Sequence, residues 1–256
     1  MSENHALPMF YRAPEPLSSV SHASWRLKES DAAFAADAAY VPLVVAEFSS
    51  AQRSYPIVFA AGNTAPLAIL GLEQANLFID DGKWAETAYV PAYVRRYPFG
   101  FIATTNPDGF ALAIDTGSDR VLQAGDEGQA LFEAGRPTEL TQQAVRFCEI
   151  FQSDAAATGE FMRALQSKEL LIDRRADATL PDGRKLGLDG FQIVDAAKFA
   201  RLDAGTVVEW HVKGWLALIH FHLASLDRFT DLLARQAKRA AAGRAVAADE
   251  AGVTTH

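Results

Sequence analysis

The 256-residue chain contains one cysteine, Cys148, and three methionines. A lone thiol excludes an intramolecular disulfide and a paired-cysteine zinc site, and it fits a reducing compartment. Apolar runs are short: none approaches the roughly 18 residues that cross a bilayer, and the longest, around Trp215 to Leu226, carries His220 and His222. Positive charge is in deficit, with 24 Lys and Arg against 32 Asp and Glu for a formal net charge of −8. That balance disfavours nucleic-acid and anionic-membrane partners, whose phosphates demand clustered cations. The opening MSENHALPMFYRAPEPLSS is broken by Glu3, Asn4, His5, Pro8, Arg12, Pro14 and Pro16, so no secretory signal is expected and the cytoplasm is the expected location.

Several catalytic signatures are also missing. The chain has no G-x-G-x-x-G after a strand, no G-x-x-x-x-G-K-[ST], no G-x-S-x-G and no H-E-x-x-H. Dinucleotide, P-loop, serine-hydrolase and zincin readings lose support accordingly, and no cofactor is implied. Cys148, flanked by Phe147 and Phe151 on an apolar helix face, reads as core, where a thiol is inert.

What is present is apolar substance: 49% of residues are hydrophobic and 22% charged, enough for one large domain or two tightly joined ones. No repeat with a period of roughly 20–50 residues is visible. The prolines before residue 20 predict an extended arm over 1–20, followed by a domain over 21–242 and a frayed tail over 243–256. A short helix is expected between Ser30 and Ala39, with Ser30 as its N-cap and Asp31 in its first turn. Short apolar runs at 41–48, 55–60, 66–71, 76–80, 89–95, 99–104 and 110–114, separated by turn signals such as DDGKW and NPDGF, predict strands. FIATTNPDGFALAID reads as a hairpin with its loop at Asn106 to Gly109. Helical spacing over 139–171 predicts two helices broken near Thr158 and Gly159; strands then resume through LIDRR and GFQIVD around a PDGRK turn, and DAAKFARLD opens a short helix. A strand over Trp215 to His222 and a helix from Ser225 to Ala242 complete an α+β fold, a mainly antiparallel central sheet with helices packed on it.

An ordered series of segments carries a family resemblance: VPLVVAEF (Val41 to Phe48), YPIVF (Tyr55 to Phe59), LGL (Leu70 to Leu72), NLFID (Asn76 to Asp80), YVPAYVRRYPF (Tyr89 to Phe99), LDGFQIVD (Leu188 to Asp195) and LALIHFHLASL (Leu216 to Leu226). The chain resembles the SapC family, bacterial proteins named for a surface-layer gene cluster, over roughly residues 17–233. This resemblance implies a protein partner of the surface layer or cell envelope and names no reaction.

A second pattern joins H-x-x-W, FA, a YP strand and PFG through His22, Trp25, Phe34, Ala35, Tyr55, Pro56 and Pro98 to Gly100. It is similar to the N-terminal half of the toxin-activating acyltransferases, which have a GNAT-like fold and use a His with an Asp to move an acyl chain from acyl carrier protein to a protein lysine. The resemblance implies His22 as general base and acyl carrier protein or acyl-CoA as donor. YVPAYVRRYPFG holds no aspartate, so Asp80 or Asp81, one strand earlier, is the available carboxylate.

From the residues themselves, His22 near Trp25 can act as a general base or simply hydrogen-bond a loop. Asp80, Asp81 and Gly82 read first as a hairpin turn. Arg95 and Arg96, set between Tyr93 and Tyr97, can offer a guanidinium fork to a carboxylate or phosphate, with aromatic faces supporting the cation, or form internal ion pairs. In a strand the two arginines point to opposite sides. His220 and His222 share a face if extended, as do His211 and Glu209, which permits a divalent metal; the plainer alternative is the polar side of a sheet. Three functions follow: a binding or assembly protein with Trp25, Tyr93, Arg95, Arg96 and Tyr97 at its contact, an acyltransferase using His22 with Asp80, or a metal-dependent accessory enzyme using His220 and His222.

Overall fold

The computed structural model describes residues 7–29, 31–62, 65–105, 108–180 and 183–253. Strands β1 (Pro14–Pro16), β2 (Arg26–Leu27) and β3 (Tyr40–Pro42) precede a one-turn helix, α1 (Phe48–Ala51). Strands β4 (Ile57–Ala60), β5 (Pro66–Ile69), β6 (Ile79–Asp80) and β7 (Lys83–Trp84) follow, then helix α2 (Ala92–Arg95). Next come β8 (Phe99–Thr105), β9 (Asp108–Asp115), β10 (Val121–Leu122), β11 (Gln129–Ala130), β12 (Phe132–Glu133) and β13 (Arg136–Pro137). The long helix α3 (Glu139–Ser167) leads to β14 (Leu171–Thr179) and β15 (Lys185–Val194), and four helices finish the chain: α4 (Ala196–Phe199), α5 (Ala204–Val212), α6 (Trp215–Ser225) and α7 (Arg228–Val253).

The strands form a five-stranded sheet in the order β14-β15-β4-β5-β3 and a three-stranded sheet in the order β1-β9-β8, both antiparallel, so the fold is α+β as the sequence predicts. At the centre, Ile57, Val58 and Phe59 of β4 are all fully buried, the signature of a strand covered on both faces. Helix α6 packs on β4 and β15, and Phe161 of α3 meets Phe48 and Trp215 at 6.2 Å between ring centroids. A second core gathers Leu27, Phe99, Ile114, Leu131, Phe132 and Cys148 around the three-stranded sheet. At about 1.5 Å per residue, α3 extends over ~43 Å; its N-terminal half reaches the second core through Cys148, and its C-terminal half the first through Phe161, Met162 and Leu165.

The proline arm is tied down. Pro14–Pro16 pairs with Asp115–Ala113 as an edge strand, a position where missing N–H donors cost no ladder bonds, and the buried Tyr11 donates its hydroxyl to Phe99 O.

Four expectations are corrected. Residues 41–48 yield only β3 before the chain turns through a 3-10 helix (Val45–Glu47) into α1, held by the buried Glu47 carboxylate, which accepts from Val44 N and Ala92 N. Residues 89–95 form α2 instead of a strand: Pro91, at its N-cap, has no N–H for a ladder and a φ of −58° suited to a helix start. Within residues 139–171 a single helix, α3 (Glu139–Ser167), stands where two were expected. Gly159 costs a helix about 1 kcal/mol, less than burial of Phe161 and Leu165 returns, and Thr158 Oγ1 bonds back to Asp154 O within the helix. Residues 215–222 are helical, starting at Gly214 in the left-handed region (φ +73°). There Ile219, His222 and Ser225 are buried at a spacing of three, the period that a short apolar run conceals.

Other readings hold. The β6–β7 turn places Asp81 (φ +46°) and Gly82 (φ +72°) in the left-handed region, as a two-residue hairpin demands. β8 and β9 pair as the predicted hairpin, with Asn106 and Pro107 outside the described residues. β14, β15 and α4 stand where LIDRR, GFQIVD and DAAKFARLD predicted them, and Asp195 caps α4. The short helix after Ser30 is a 3-10 turn, Ala33–Ala35, in which Asp31 Oδ1 accepts from Ala33 N; Ser30 itself lies outside the described residues. The last helix differs in its bounds: expected over Ser225 to Ala242, it begins at Arg228 and continues to Val253, through most of the stretch expected as a frayed tail.

Candidate functional site

His22 lies in the turn after β1, with a side chain only 4% exposed. Ser18 N donates to its Nδ1 at 3.0 Å. With Nδ1 accepting, Nε2 carries the proton and donates to Glu15 Oε1 at 3.0 Å. The ring packs on Trp25 with centroids 4.2 Å apart. The structure thus gives His22 a carboxylate partner in Glu15, seven residues upstream, while Asp80 sits exposed in the β6–β7 hairpin opposite Lys83. Both imidazole nitrogens are occupied, and the ring is shut from solvent. Trp25 is half-buried against the second core.

Arg95 and Arg96 stand at the end of α2. Because successive helical residues are about 100° apart, both can reach one cavity, which a strand would have prevented. Arg95 is exposed; its Nε donates to Val90 O and its Nη2 to Tyr89 Oη, each at 3.0 Å, and its guanidinium lies 5.1 Å from the Phe147 ring centre. The Arg96 guanidinium is caged by Tyr93 at 4.3 Å, Phe151 at 4.4 Å and Tyr11 at 5.6 Å. The aromatic support predicted for these cations is therefore present. Tyr93 and Tyr97 are themselves buried, donating to Met9 O and to Asp115 Oδ2. Burial holds both phenols above the usual tyrosine range.

Glu47 positions this helix. Its Oε1 accepts from Ala92 N and, at 3.0 Å, from Tyr89 Oη, while Oε2 accepts from Val44 N. Burial raises its pKa against those hydrogen bonds, which pull the other way. Beside α2, a cavity of about 200 Å³ is lined by Arg95, Arg96 and a third cation, Arg120, with Leu27, Leu140 and Phe147 among its apolar walls. Arg95 and Arg120 also border a neighbouring cavity of about 350 Å³ that holds Asp31 and Lys83. Cys148 lines the first cavity, and burial pushes its thiol up to about 11 despite the nearby Arg96, consistent with an inert core residue.

His220 and His222 do not share a face. On a helix, residues two apart lie about 200° apart: His220 is exposed beside Phe199, whereas His222 is wholly buried. His222 Nδ1 donates to Ile57 O at 2.8 Å and Nε2 accepts from Val194 N at 3.0 Å, binding α6 to β4 and β15. His211 and Glu209 lie on α5, where Glu209 pairs with Lys213 at 2.7 Å. Among the described residues no group of three or more His, Cys, Asp or Glu is placed to hold a metal ion. Likewise, no helix among the described residues is long and apolar enough to cross a membrane.

Sequence reasoning missed Glu15, Glu47 and Arg120. Glu15 lay near His22 but between prolines that masked it. Arg120 has no local signal, since its relation to α2 arises only when Tyr97 O accepts from its Nη1 at 2.5 Å.

This is an α+β protein with an arginine-lined cavity beside a short helix. The SapC family model matches residues 17–232, most of the chain, and the protein belongs to the SapC family. No curated protein and no solved structure matches it.

Proposed function

We propose that this SapC-family protein works in the cytoplasm by binding a protein partner of the surface layer or cell envelope, as one domain over residues 21–242, without turnover. The observation that supports the reading most is at α2: Arg95 and Arg96 face a cavity with no carboxylate ion-paired to them among the described residues, in a chain carrying eight more acids than bases (32 against 24). Neither cation pairs directly with an internal carboxylate among the described residues; Arg95 reaches Glu47 only through the Tyr89 hydroxyl. The contact is narrower than the sequence reading, because Tyr93 and Tyr97 are buried and Arg95 is the exposed member of the segment.

A second reading, GNAT-like acyl transfer from acyl carrier protein or acyl-CoA, draws on the His22–Glu15 pair, an imidazole beside a carboxylate. The closed, 4%-exposed ring weighs against it. Replacing the chromosomal copy with variants separates the two. His22→Asn keeps an acceptor for Ser18 N and removes the base, and it is expected to leave delivery of surface-layer or envelope protein unchanged; Arg95→Glu is expected to abolish delivery. Loss of delivery in a folded His22→Asn protein would establish the acyltransfer reading instead.

A further inference from the structure

The cavity beside α2 combines features that ordinary surface arginines lack. Three arginines, Arg95, Arg96 and Arg120, line about 200 Å³ of space. None is ion-paired to a carboxylate among the described residues. The Nε atoms of Arg96 and Arg120 are buried with no hydrogen-bond partner among the described residues. A buried donor without an acceptor, and a buried cation without an anion, each destabilise a fold. Tight aromatic packing accounts for the position of Arg96, whereas the Arg120 guanidinium donates to the Tyr97 carbonyl and has Asp31 near enough to favour its charge without an ion pair among the described residues. Burial depresses the Arg120 pKa, with Asp31 and Tyr97 acting in the opposite direction.

Most of the remaining wall is apolar, with Leu27, Leu140 and Phe147 contributing beside the polar Gln143. A cavity of ~150 Å³ already admits a benzene ring, so this one has room for a single ring or branched alkyl group. Guanidinium forks match the planar, paired oxygens of a carboxylate or the oxygens of a phosphate.

We infer that this cavity binds an oxyanion, carboxylate or phosphate, carried on one apolar group about the size of a phenyl ring. Arg95 and Arg120 hold the oxygens, the caged Arg96 adds fixed positive charge, and the apolar wall takes the hydrophobic body. The inference rests on the binding reading above and gives it a chemistry: the chemistry is offered by the C-terminus of a polypeptide ending in an apolar residue, or by a small free acid.

Calorimetric titration of the full chain tests it with N-acetylphenylalanine, its amide, phenyl phosphate and inorganic phosphate. The two apolar acids are expected to bind, with affinity falling as salt is raised, and the amide is expected not to. Arg95→Gln, at an exposed position, should weaken binding about tenfold, the scale of one charge-assisted hydrogen bond. Arg120→Lys, which keeps the charge and loses the fork, should weaken it similarly with the thermal midpoint of unfolding unchanged. A short peptide ending in Phe that binds at least as tightly as N-acetylphenylalanine assigns the source as a polypeptide end; a peptide that fails while the free acid binds assigns a small acid.

Binding of the amide equal to that of the acid, inorganic phosphate equal to phenyl phosphate, or no binding by either acid overturns the inference. The two proposals fail separately. If no acid binds while Arg95→Glu still blocks delivery in cells, only the ligand assignment falls. If the acids bind and delivery is indifferent to Arg95→Glu, the partner-binding role falls.

Discussion

His222 shows how one side chain is assigned its chemistry by what surrounds it. A histidine in an HFH triplet is a plausible ligand in the abstract, yet here both nitrogens serve backbone groups of two different strands. Burial pushes its pKa down to about 4, against the opposing hydrogen bond to Ile57 O. An unfolded histidine titrates near 6.5, so the unfolded chain binds the proton first. Stability tied to neutral His222 is therefore fully present above about pH 6.5 and is lost as pH falls through 4. The shift corresponds to on the order of 3 kcal/mol. Urea midpoints measured across that range should fall with acid, and His222→Leu should flatten that part of the profile. The same variant should lower stability near neutral pH by about 2–4 kcal/mol, because Ile57 O and Val194 N lose their partner. A profile unchanged by the substitution would refute this account. His22 differs in kind: its partners are local, Ser18 and Glu15, and its proximity to Trp25 was visible in the spacing H-x-x-W.

Among the elements, α3 and α2 both depart from local expectation, for different reasons. In α3 a glycine predicted a break, but helix interruption is a modest local penalty set against apolar burial further along the same face. Gly159 lies in unstrained helix, and the nearest atom to an added Cβ is the flexible end of Arg163 at 3.4 Å. Gly159→Ala is accordingly expected to raise stability by about 0.5–1 kcal/mol through helix propensity. Chemical denaturation reads it directly, and a drop instead would mean that the helix needs a kink there. In α2 the departure starts at Pro91, which the sequence displays, but the four-residue helix also depends on Glu47, more than 40 positions earlier. The hairpin β6–β7, by contrast, was legible because its turn residues, Asp81 and Gly82, lie between the strands they join and carry the required positive φ.

On the scale of the whole molecule, the long helix is the mechanical link between two cores. Phe161 and Leu165 sit in the larger core, and Cys148 with the partly buried Leu140 and Ala144 in the smaller. A helix that must be intact to serve both should make them unfold together. Phe161→Ala, which removes a fully buried ring, is expected to cost about 3–5 kcal/mol. Amide exchange in β8 and β9 should then accelerate along with that in β4 and β5, although Phe161 touches only one of the two cores. Exchange that accelerates in β4 and β5 alone would show that the cores unfold independently.

The chain by itself determined its family, its α+β class, its antiparallel hairpins and the burial of Cys148. Those rest on ordered motifs, turn chemistry and side-chain alternation, all encoded within a few consecutive residues. Tertiary structure decided whether 92–95 and 215–225 are strand or helix, which carboxylate faces His22, and that Arg120 joins Arg95 and Arg96 in one cavity. A short apolar run is compatible with either backbone conformation until something covers it. A buried polar atom takes whichever partner the fold delivers, here across separations such as the 165 residues between Ile57 and His222.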